Sequence, residues 1–261
     1  SAQTKLMPSG RKAELSSLPA QTKLIPSGCN NMQNPDEKKK FVQEKFSSIS
    51  GKYDFLNSVL SFQIDRYWRW VTTRELQDFP EGAVLDLCAG TLPLSLELTR
   101  QAKKRQVLAV DFCEDMLRAG VRHLPADDRK ERIAPVCGDG EQLPVKAGSV
   151  WGVTVAFGVR NLARTQQGLT EMHRVLKPGG KLLILEFSRP RNPLVKTVYN
   201  FYLNRVLPKI AGLVSGDIEA YEYLARSIAE FYAPEELLAM MRQAGFARTY
   251  HRPLTFGVVT V

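Results

Sequence analysis

From Ala83 onward the chain alternates short apolar runs with helical stretches, and this rhythm constrains its fold more than any other feature. The strand-like runs are Ala83–Cys88, Gln106–Asp111, Arg132–Cys137, Val150–Ala156 and Lys181–Phe187. Helical stretches lie between them, among them Leu92–Ala102, Cys113–Val121 and Thr165–Leu176. Near-continuous apolar strands joined by helices require a sheet covered on both faces, so a mainly parallel α/β sheet is predicted. Right-handed crossovers make that sheet doubly wound. Two late segments, Phe246–His251 and Thr255–Val261, are expected to pair as an edge hairpin and bring the sheet to seven strands.

Helices flank this core on both sides in sequence. Asp36–Ile49 carries Phe41, Val42, Phe46 and Ile49 at helical spacing, and Asp65–Leu76 is a second amphipathic helix rich in aromatics. Asn192–Ile228 is too long for an ordinary connection and rich in apolar residues, which predicts a helical insertion after strand five. Helix Pro234–Ala244 ends at Gly245, a good C-cap. The expected organisation is a tail over residues 1–34 and one domain over 35–261. Within that domain, 35–78 forms a helical N-terminal cap and 192–232 the insertion. Ala2–Gly10 recurs almost unchanged as Ala20–Gly28, each copy ending in Pro-Ser-Gly, so the tail reads as a flexible or appended segment.

Composition narrows the class. No uninterrupted apolar run approaches the roughly 18–20 residues needed to cross a bilayer. Four scattered cysteines show neither a C-x-x-C pair nor zinc spacing, and the three histidines are isolated. No metal site is expected, and reduced thiols suit a cytoplasmic setting, peripheral to a membrane face at most. The net charge is +9, and residues 1–40 hold 7 Lys and Arg against 3 Asp and Glu. That balance favours an anionic partner, whether phospholipid surface, nucleic acid or acidic substrate. With no motif that reads RNA or DNA, nucleic acid is set aside.

The strongest local signal is Val84-Leu85-Asp86-Leu87-Cys88-Ala89-Gly90-Thr91, an apolar strand running into a small-residue turn before a helix. Gly90 lets the backbone approach a ligand closely. Asp111 ends the next strand 21 residues after Gly90, where an acid accepts hydrogen bonds from ribose hydroxyls. A generic α/β turn followed by a strand-end acid is the plainer alternative. Neither G-x-G-x-x-G nor G-x-x-x-x-G-K-[ST] is present. A pyrophosphate needs a row of amides at a helix N-terminus. S-adenosylmethionine (SAM) carries no phosphate, so the shorter turn favours it over NAD or ATP. After strand three, Gly138-Asp139-Gly140-Glu141-Gln142-Leu143-Pro144 offers a polar side chain for an adenine amino group, or simply a capped turn. Leu176-Lys177-Pro178-Gly179-Gly180-Lys181-Leu182 reads as a structural turn.

Together with Lys52-Tyr53-Asp54-Phe55-Leu56-Asn57, Ser61-Phe62, Arg66-Tyr67-Trp68-Arg69, Phe157-Gly158-Val159-Arg160-Asn161 and Leu185-Glu186-Phe187-Ser188, these motifs carry a resemblance. From about Lys40 to its end the chain resembles class I SAM-dependent methyltransferases, and within them the ubiquinone/menaquinone biosynthesis C-methyltransferase family. The Lys-Pro-Gly-Gly turn is common to many methyltransferases, whereas the Tyr-Asp and Phe-Gly-x-Arg-Asn signatures are more specific. The resemblance implies a Rossmann-like fold and methylation of a quinol ring carbon, demethylmenaquinol ahead of a benzoquinol. It implies SAM contacts from Asp86, Gly90, Thr91, Asp111, Phe112, Asp139, Gly140 and Ala156. It places Arg160, Tyr53 and Asn161 at the chemistry, and Asn57, Phe157 and Tyr199 at the substrate. The implied partner is a lipophilic quinol; peripheral membrane contact and a homodimer are allowed by it, not required.

A phenol ring becomes a carbon nucleophile when its hydroxyl ionises, so such an enzyme aligns two reactants and stabilises a phenolate. A guanidinium is a poor base, so Arg160 is expected to stabilise the anion and orient water, with a structural salt bridge as the alternative. Relatives commonly read Gly-Thr-Gly-Asp where this chain has Gly90-Thr91-Leu92-Pro93, which is expected to put bulk beside the methionine arm. A methyltransferase for another small molecule is the enzymatic alternative, and the Leu92-Pro93 departure keeps in view a non-catalytic quinone-binding or assembly protein.

Overall fold

The computed structural model describes residues 34–51, 58, 61–206 and 218–261. The expected tail, apart from Asn34, lies outside the described residues, as do Tyr53 and Asn57.

The alternating pattern folds as one seven-stranded sheet. Its strands are β1 (Ala83–Leu87), β2 (Gln106–Asp111), β3 (Ile133–Cys137), β4 (Val150–Ala156), β5 (Leu176–Phe187), β6 (Pro253–Leu254) and β7 (Val259–Thr260). They lie in the order β3-β2-β1-β4-β5-β7-β6. The first five pair in parallel, and only the β7 and β6 pairings are antiparallel. The chain steps outward from β1 to β3, then returns to lay β4 on the other side of β1. The carboxyl ends of β1 and β4 therefore flank a topological switch point, where this class of sheet leaves a crevice.

The central strands β1 and β4 are buried on both faces, as their near-continuous apolar runs require, whereas the edge strand β3 fully buries only Ile133. Alternation along β1 sends Leu85 and Leu87 into one core cluster and Val84 into the other. The first cluster is completed by Leu169 and Met172 of α6 (Thr165–Val175) and Leu237 of α9 (Pro234–Gln243). The second takes Leu98 of α3 (Pro93–Gln101) and Leu117 of α4 (Glu114–Arg122). Each fully buried Leu or Val contributes roughly 1.5–3 kcal/mol.

The N-terminal helices are α1 (Pro35–Ile49) and α2 (Ile64–Arg74). Asn34 caps α1 by accepting from Asp36 N at 3.0 Å, and Pro35, Asp36 and Glu37 suit its first turn. A single-turn helix, α5 (Asp128–Glu131), leads into β3. The insertion after β5 contains α7 (Pro193–Phe201), a π turn at Tyr202–Val206 and α8 (Ile218–Glu230). Helix α9 closes in a Schellman motif: Phe246 N bonds Met241 O, Gly245 N bonds Arg242 O, and Gly245 has φ +106°.

Two expectations need correction. Phe246–His251 is not a strand. Phe246 is held edge-to-face on His173 with ring centroids 5.0 Å apart, and Tyr250 and Arg252 reach Glu75, so side chains rather than ladder bonds anchor this stretch. The hairpin forms later and shorter, at β6 and β7. Strand β5 also begins earlier than Lys181. It pairs Leu176 with Val150, puckers through the Lys-Pro-Gly-Gly residues, and resumes with Lys181 opposite Gly152. Gly179, at φ +79°, permits the pucker.

Candidate active site

The turn leaving β1 is bent through three left-handed residues, Cys88 (φ 55°), Gly90 (φ 54°) and Leu92 (φ 70°). The Gly90 amide donates to Asp111 Oδ2 at 2.8 Å, and the Cys113 amide donates to Oδ1 at the same distance. The Asp111 carboxylate is thus clamped between the ends of β1 and β2 with free lone pairs on both oxygens. Burial pushes its carboxyl above the usual range, and the amide hydrogen bonds pull it back. Opposite, Phe157 also takes a left-handed φ of 58° at the end of β4. Gly158 makes that approach possible, since a Cβ there would stand 2.3 Å from Cys88 Cβ.

The departure at Leu92 is resolved differently from expectation. Its side chain is fully buried in the core cluster with Val84, Ala109 and Leu117, and does not stand beside the pocket. Gly120 of α4 makes room for it: a Cβ there would lie 2.7 Å from the Thr91 carbonyl and 2.8 Å from Leu92 Cγ. Pro93 occupies the first helical turn of α3.

The carboxyl ends of β1 to β4 and helix α1 enclose one pocket. Of the residues expected at the site, Gly90, Asp111, Phe112, Asp139, Gly140, Ala156, Phe157 and Asn161 line it together. Phe112, Met116 and Leu162 supply apolar wall, and Asp111 and Asp139 supply negative charge. Its lysine, Lys39 of α1, is engaged with Asp139 Oδ2 at 2.6 Å and Glu141 Oε2 at 2.8 Å. Such a pocket repels a diphosphate and suits a cationic ligand with hydroxyl and amino donors. The residues present therefore fit SAM, whose sulfonium is positive.

Two expected SAM residues lie beneath this pocket instead. Asp86 is 1% exposed and accepts from Ser95 Oγ at 2.6 Å and Thr154 Oγ1 at 3.2 Å, tying β1 to α3 and β4. Burial raises its pKa to about 7, against the opposing pull of those hydroxyls. Thr91 is also buried, in the turn against Gly120. Both residues shape the turn from behind.

Arg160 sits behind the pocket wall. Its Nη1 donates to Glu186 Oε2 at 2.9 Å and to the Phe157 carbonyl, and its amide donates to Glu186 Oε1 at 3.2 Å. Next to it, Tyr223 of α8 donates to Asn161 Oδ1 at 3.0 Å. The Tyr199 hydroxyl of α7 is buried without a hydrogen-bond partner among the described residues. Burial pushes the Tyr199 phenol well above its usual range, with the Arg160 charge pulling the other way. Trp68, Phe157 and Phe187 pack edge and face around this corner, Phe157 and Phe187 with centroids 4.6 Å apart. No cluster of three or more metal-ligating side chains occurs among the described residues.

Residues 32–261 match the ubiE/COQ5 methyltransferase family. The chain belongs to that family. The ubiquinone/menaquinone biosynthesis C-methyltransferase UbiE of Geotalea daltonii is 42% identical over 226 residues, covering 86% of this chain and 96% of the relative. The demethylmenaquinone methyltransferase of Deinococcus radiodurans is 42% identical over 222 residues, covering 85% and 91%. A SAM-dependent methyltransferase structure from Thermotoga maritima shares the fold at TM-score 0.54 and 23% identity, covering 79% of this chain and 81% of that one. A methyltransferase from Haloferax volcanii, in complex with its Trm112 activator, matches at TM-score 0.55 and 18% identity over 80% and 79%.

Within this ubiE/COQ5 methyltransferase, sequence reasoning missed three contributors. In the sequence Glu186 is only one letter of a motif, yet it is the carboxylate that holds Arg160. Tyr223 reaches Asn161 across 62 residues of sequence, and Lys39 reaches Asp139 across 100. Helical periodicity marks the buried face of α1 but does not say which lysine meets which acid. The one available signal was an acid-rich loop, Asp139 to Glu141, following a strand end, which asks for a cation from elsewhere.

Proposed function

We propose that this methyltransferase transfers the SAM methyl group to a ring carbon of a lipophilic quinol, demethylmenaquinol before a benzoquinol. The observation that carries this reading is the pair of strand-end acids, Asp111 and Asp139, sharing one pocket with the Phe157–Asn161 loop. When bound there, SAM supplies a methyl group already activated by its positive sulfur. Asp111, locked by two backbone amides, accepts the ribose hydroxyls. Asp139 accepts the adenine amine, with Phe112 and Leu162 against the base. Gly90, Gly140 and Ala156 keep the floor low enough for close approach.

The acceptor ring lies beyond Phe157 and Asn161, toward α7 and α8. Arg160 places a buried positive charge there, which stabilises the phenolate of a ring hydroxyl as its proton leaves to water. Arg160 is not itself the base. Glu186 fixes the guanidinium, and Tyr223 fixes Asn161. An unpartnered buried hydroxyl costs roughly 1–3 kcal/mol, so the Tyr199 phenol is disposed to take up a substrate oxygen. Tyr53 and Asn57 are assigned to the substrate side on their motif alone.

A lipid-tailed substrate also brings the enzyme to a membrane face. No helix among the described residues is long and apolar enough to cross a membrane, so contact is peripheral. The exposed apolar side of α7 is the contact surface.

Incubation with isotopically labelled SAM and a panel of demethylated naphthoquinols and benzoquinols, followed by mass spectrometry, tests the activity. A labelled methyl on the naphthoquinol ring carbon is expected. No transfer to any quinol, with SAM bound, overturns the substrate class. No SAM binding at millimolar concentration favours a non-catalytic quinone-binding protein.

A further inference from the structure

Helix α1 is fastened over the pocket by consecutive lysines with different targets. Lys38 Nζ donates to the Leu162 carbonyl at 2.7 Å and the Arg160 carbonyl at 3.2 Å. Lys39 Nζ bridges Asp139 and Glu141. Glu141 is anchored in turn: its Oε1 accepts the Ala163 and Arg164 amides at 2.7 Å each, and its side chain is 1% exposed. Asp139 is the more exposed of the two acids at 31%, and its carboxylate is the one open enough to meet a ligand. Its Oδ1 already accepts the Glu141 amide at 2.8 Å, and its Oδ2 is set by Lys39. Both oxygens are therefore oriented by protein donors, with lone pairs remaining toward the pocket. Burial opposes the Lys39 ammonium, but its hydrogen bonds to Asp139 and Glu141 outweigh that and hold its pKa above the usual value.

We propose that Lys39 is a positioning residue for purine recognition, holding the Asp139 carboxylate aimed at the exocyclic 6-amino group of the cofactor base. The proposal rests on the reading of this pocket as the SAM site. It goes beyond that reading by assigning base selectivity to a residue of the N-terminal helix, which touches Asp139 rather than the base. An acceptor held at both oxygens pays little ordering cost when the amine arrives, whereas an Asp139 held only by the Glu141 amide must give up more rotamer entropy. A 6-oxo purine presents an acceptor in place of the amine and gains nothing from an oriented carboxylate.

Calorimetric titration with S-adenosylhomocysteine and with its 6-oxo counterpart, S-inosylhomocysteine, separates the cases. Lys39→Met is expected to weaken the amino ligand about 5- to 20-fold, with the oxo ligand held within about twofold; both figures are order-of-magnitude expectations for one lost polar restraint. Lys39→Arg, which keeps the donor, restores the preference. Retained binding of the oxo ligand shows that the variant has folded its pocket. Equal weakening of both ligands, no change, or tighter binding of the amino ligand each overturns the role of Lys39. Asp139→Asn provides the separate check. If it leaves the amino-over-oxo preference intact, the placement of adenine at Asp139 fails, and this inference falls with it.

Discussion

Arg160 and Glu186 form an ion pair at 2.9 Å with their side chains only 5% and 4% exposed. Both the functional and the structural expectation for Arg160 are contained in that geometry, and stability measurements separate them. Removing one partner of a buried pair leaves an uncompensated charge, at a cost of about 3–5 kcal/mol, whereas replacing both by apolar residues is often neutral. Arg160→Met is therefore expected to lower the urea midpoint sharply, and Arg160→Met with Glu186→Leu to recover most of the loss. If Arg160 has the proposed role, turnover should stay depressed by roughly 10²–10³ in the double variant, because the charge assigned to the phenolate is gone. A double variant with recovered stability and undiminished turnover would leave Arg160 a purely structural residue.

Asp86 gives the fold a pH dependence of unusual sign. Its carboxyl titrates near pH 7 in the folded chain, because burial disfavours its charged form, against an ordinary value of 3.8. The native state holds that proton where the unfolded state has lost it, so stability falls as pH rises from about 4 to about 7. Each pH unit in that window is worth about 1.4 kcal/mol. Asp86→Asn keeps the size, and the Ser95 and Thr154 hydroxyls can accept as well as donate. Urea midpoints measured from pH 4.5 to 7.5 should fall more steeply for the wild type than for the variant. Parallel curves would mean that Asp86 is ionised at no cost.

Much of this architecture was legible in the sequence, for a physical reason. Strands β2 and β4 run over the residues that the apolar pattern marks, because a buried parallel strand is recorded locally as a continuous apolar run. The acid at the end of β2 was legible for the same reason: Asp111 interrupts such a run where it meets the crevice. Contacts between distant segments left no such record. Lys39 with Asp139 and Tyr223 with Asn161 depend on which faces of two helices the tertiary fold turns inward. The late edge strand was misplaced because Phe246 answers to His173 across the core rather than to its own neighbours.

Leu92 shows how a departure from a family pattern is compensated. Glycine there would relieve a left-handed φ of 70°, a strain of about 1–2 kcal/mol for a residue with a side chain. It would also empty a fully buried leucine site, and removing that much side chain costs about 2–5 kcal/mol. Leu92→Gly is therefore expected to destabilise the chain by roughly 2 kcal/mol, with SAM affinity little changed, since Leu92 does not line the pocket. Gly120→Ala should also destabilise, by about 1–3 kcal/mol, because its methyl meets the Thr91 backbone. Chemical denaturation and calorimetric titration check both. A Leu92→Gly variant more stable than the wild type would show that strain outweighs packing at this turn.

Helix α7 turns Tyr199 inward but leaves Leu194, Val198 and Phe201 following one another on its outer face at 73%, 62% and 62% exposure. Phe62, at 74%, joins that face through Tyr202, with ring centroids 6.4 Å apart. From Pro193 to Val206 the chain carries Lys196 and Arg205 and no acid. Apolar insertion into the headgroup boundary and attraction to anionic lipid, about 1 kcal/mol per basic residue, would act together there. Co-sedimentation with phosphatidylglycerol vesicles is expected for the wild type, weaker with phosphatidylcholine alone and reduced by salt. Leu194→Ser with Phe201→Ser should lower the bound fraction several-fold at unchanged SAM affinity, since neither residue lines the cofactor pocket. Undiminished vesicle binding by that variant would move the contact elsewhere. A wild-type dimer in gel filtration that the same substitutions split would assign the face to a second copy of the chain.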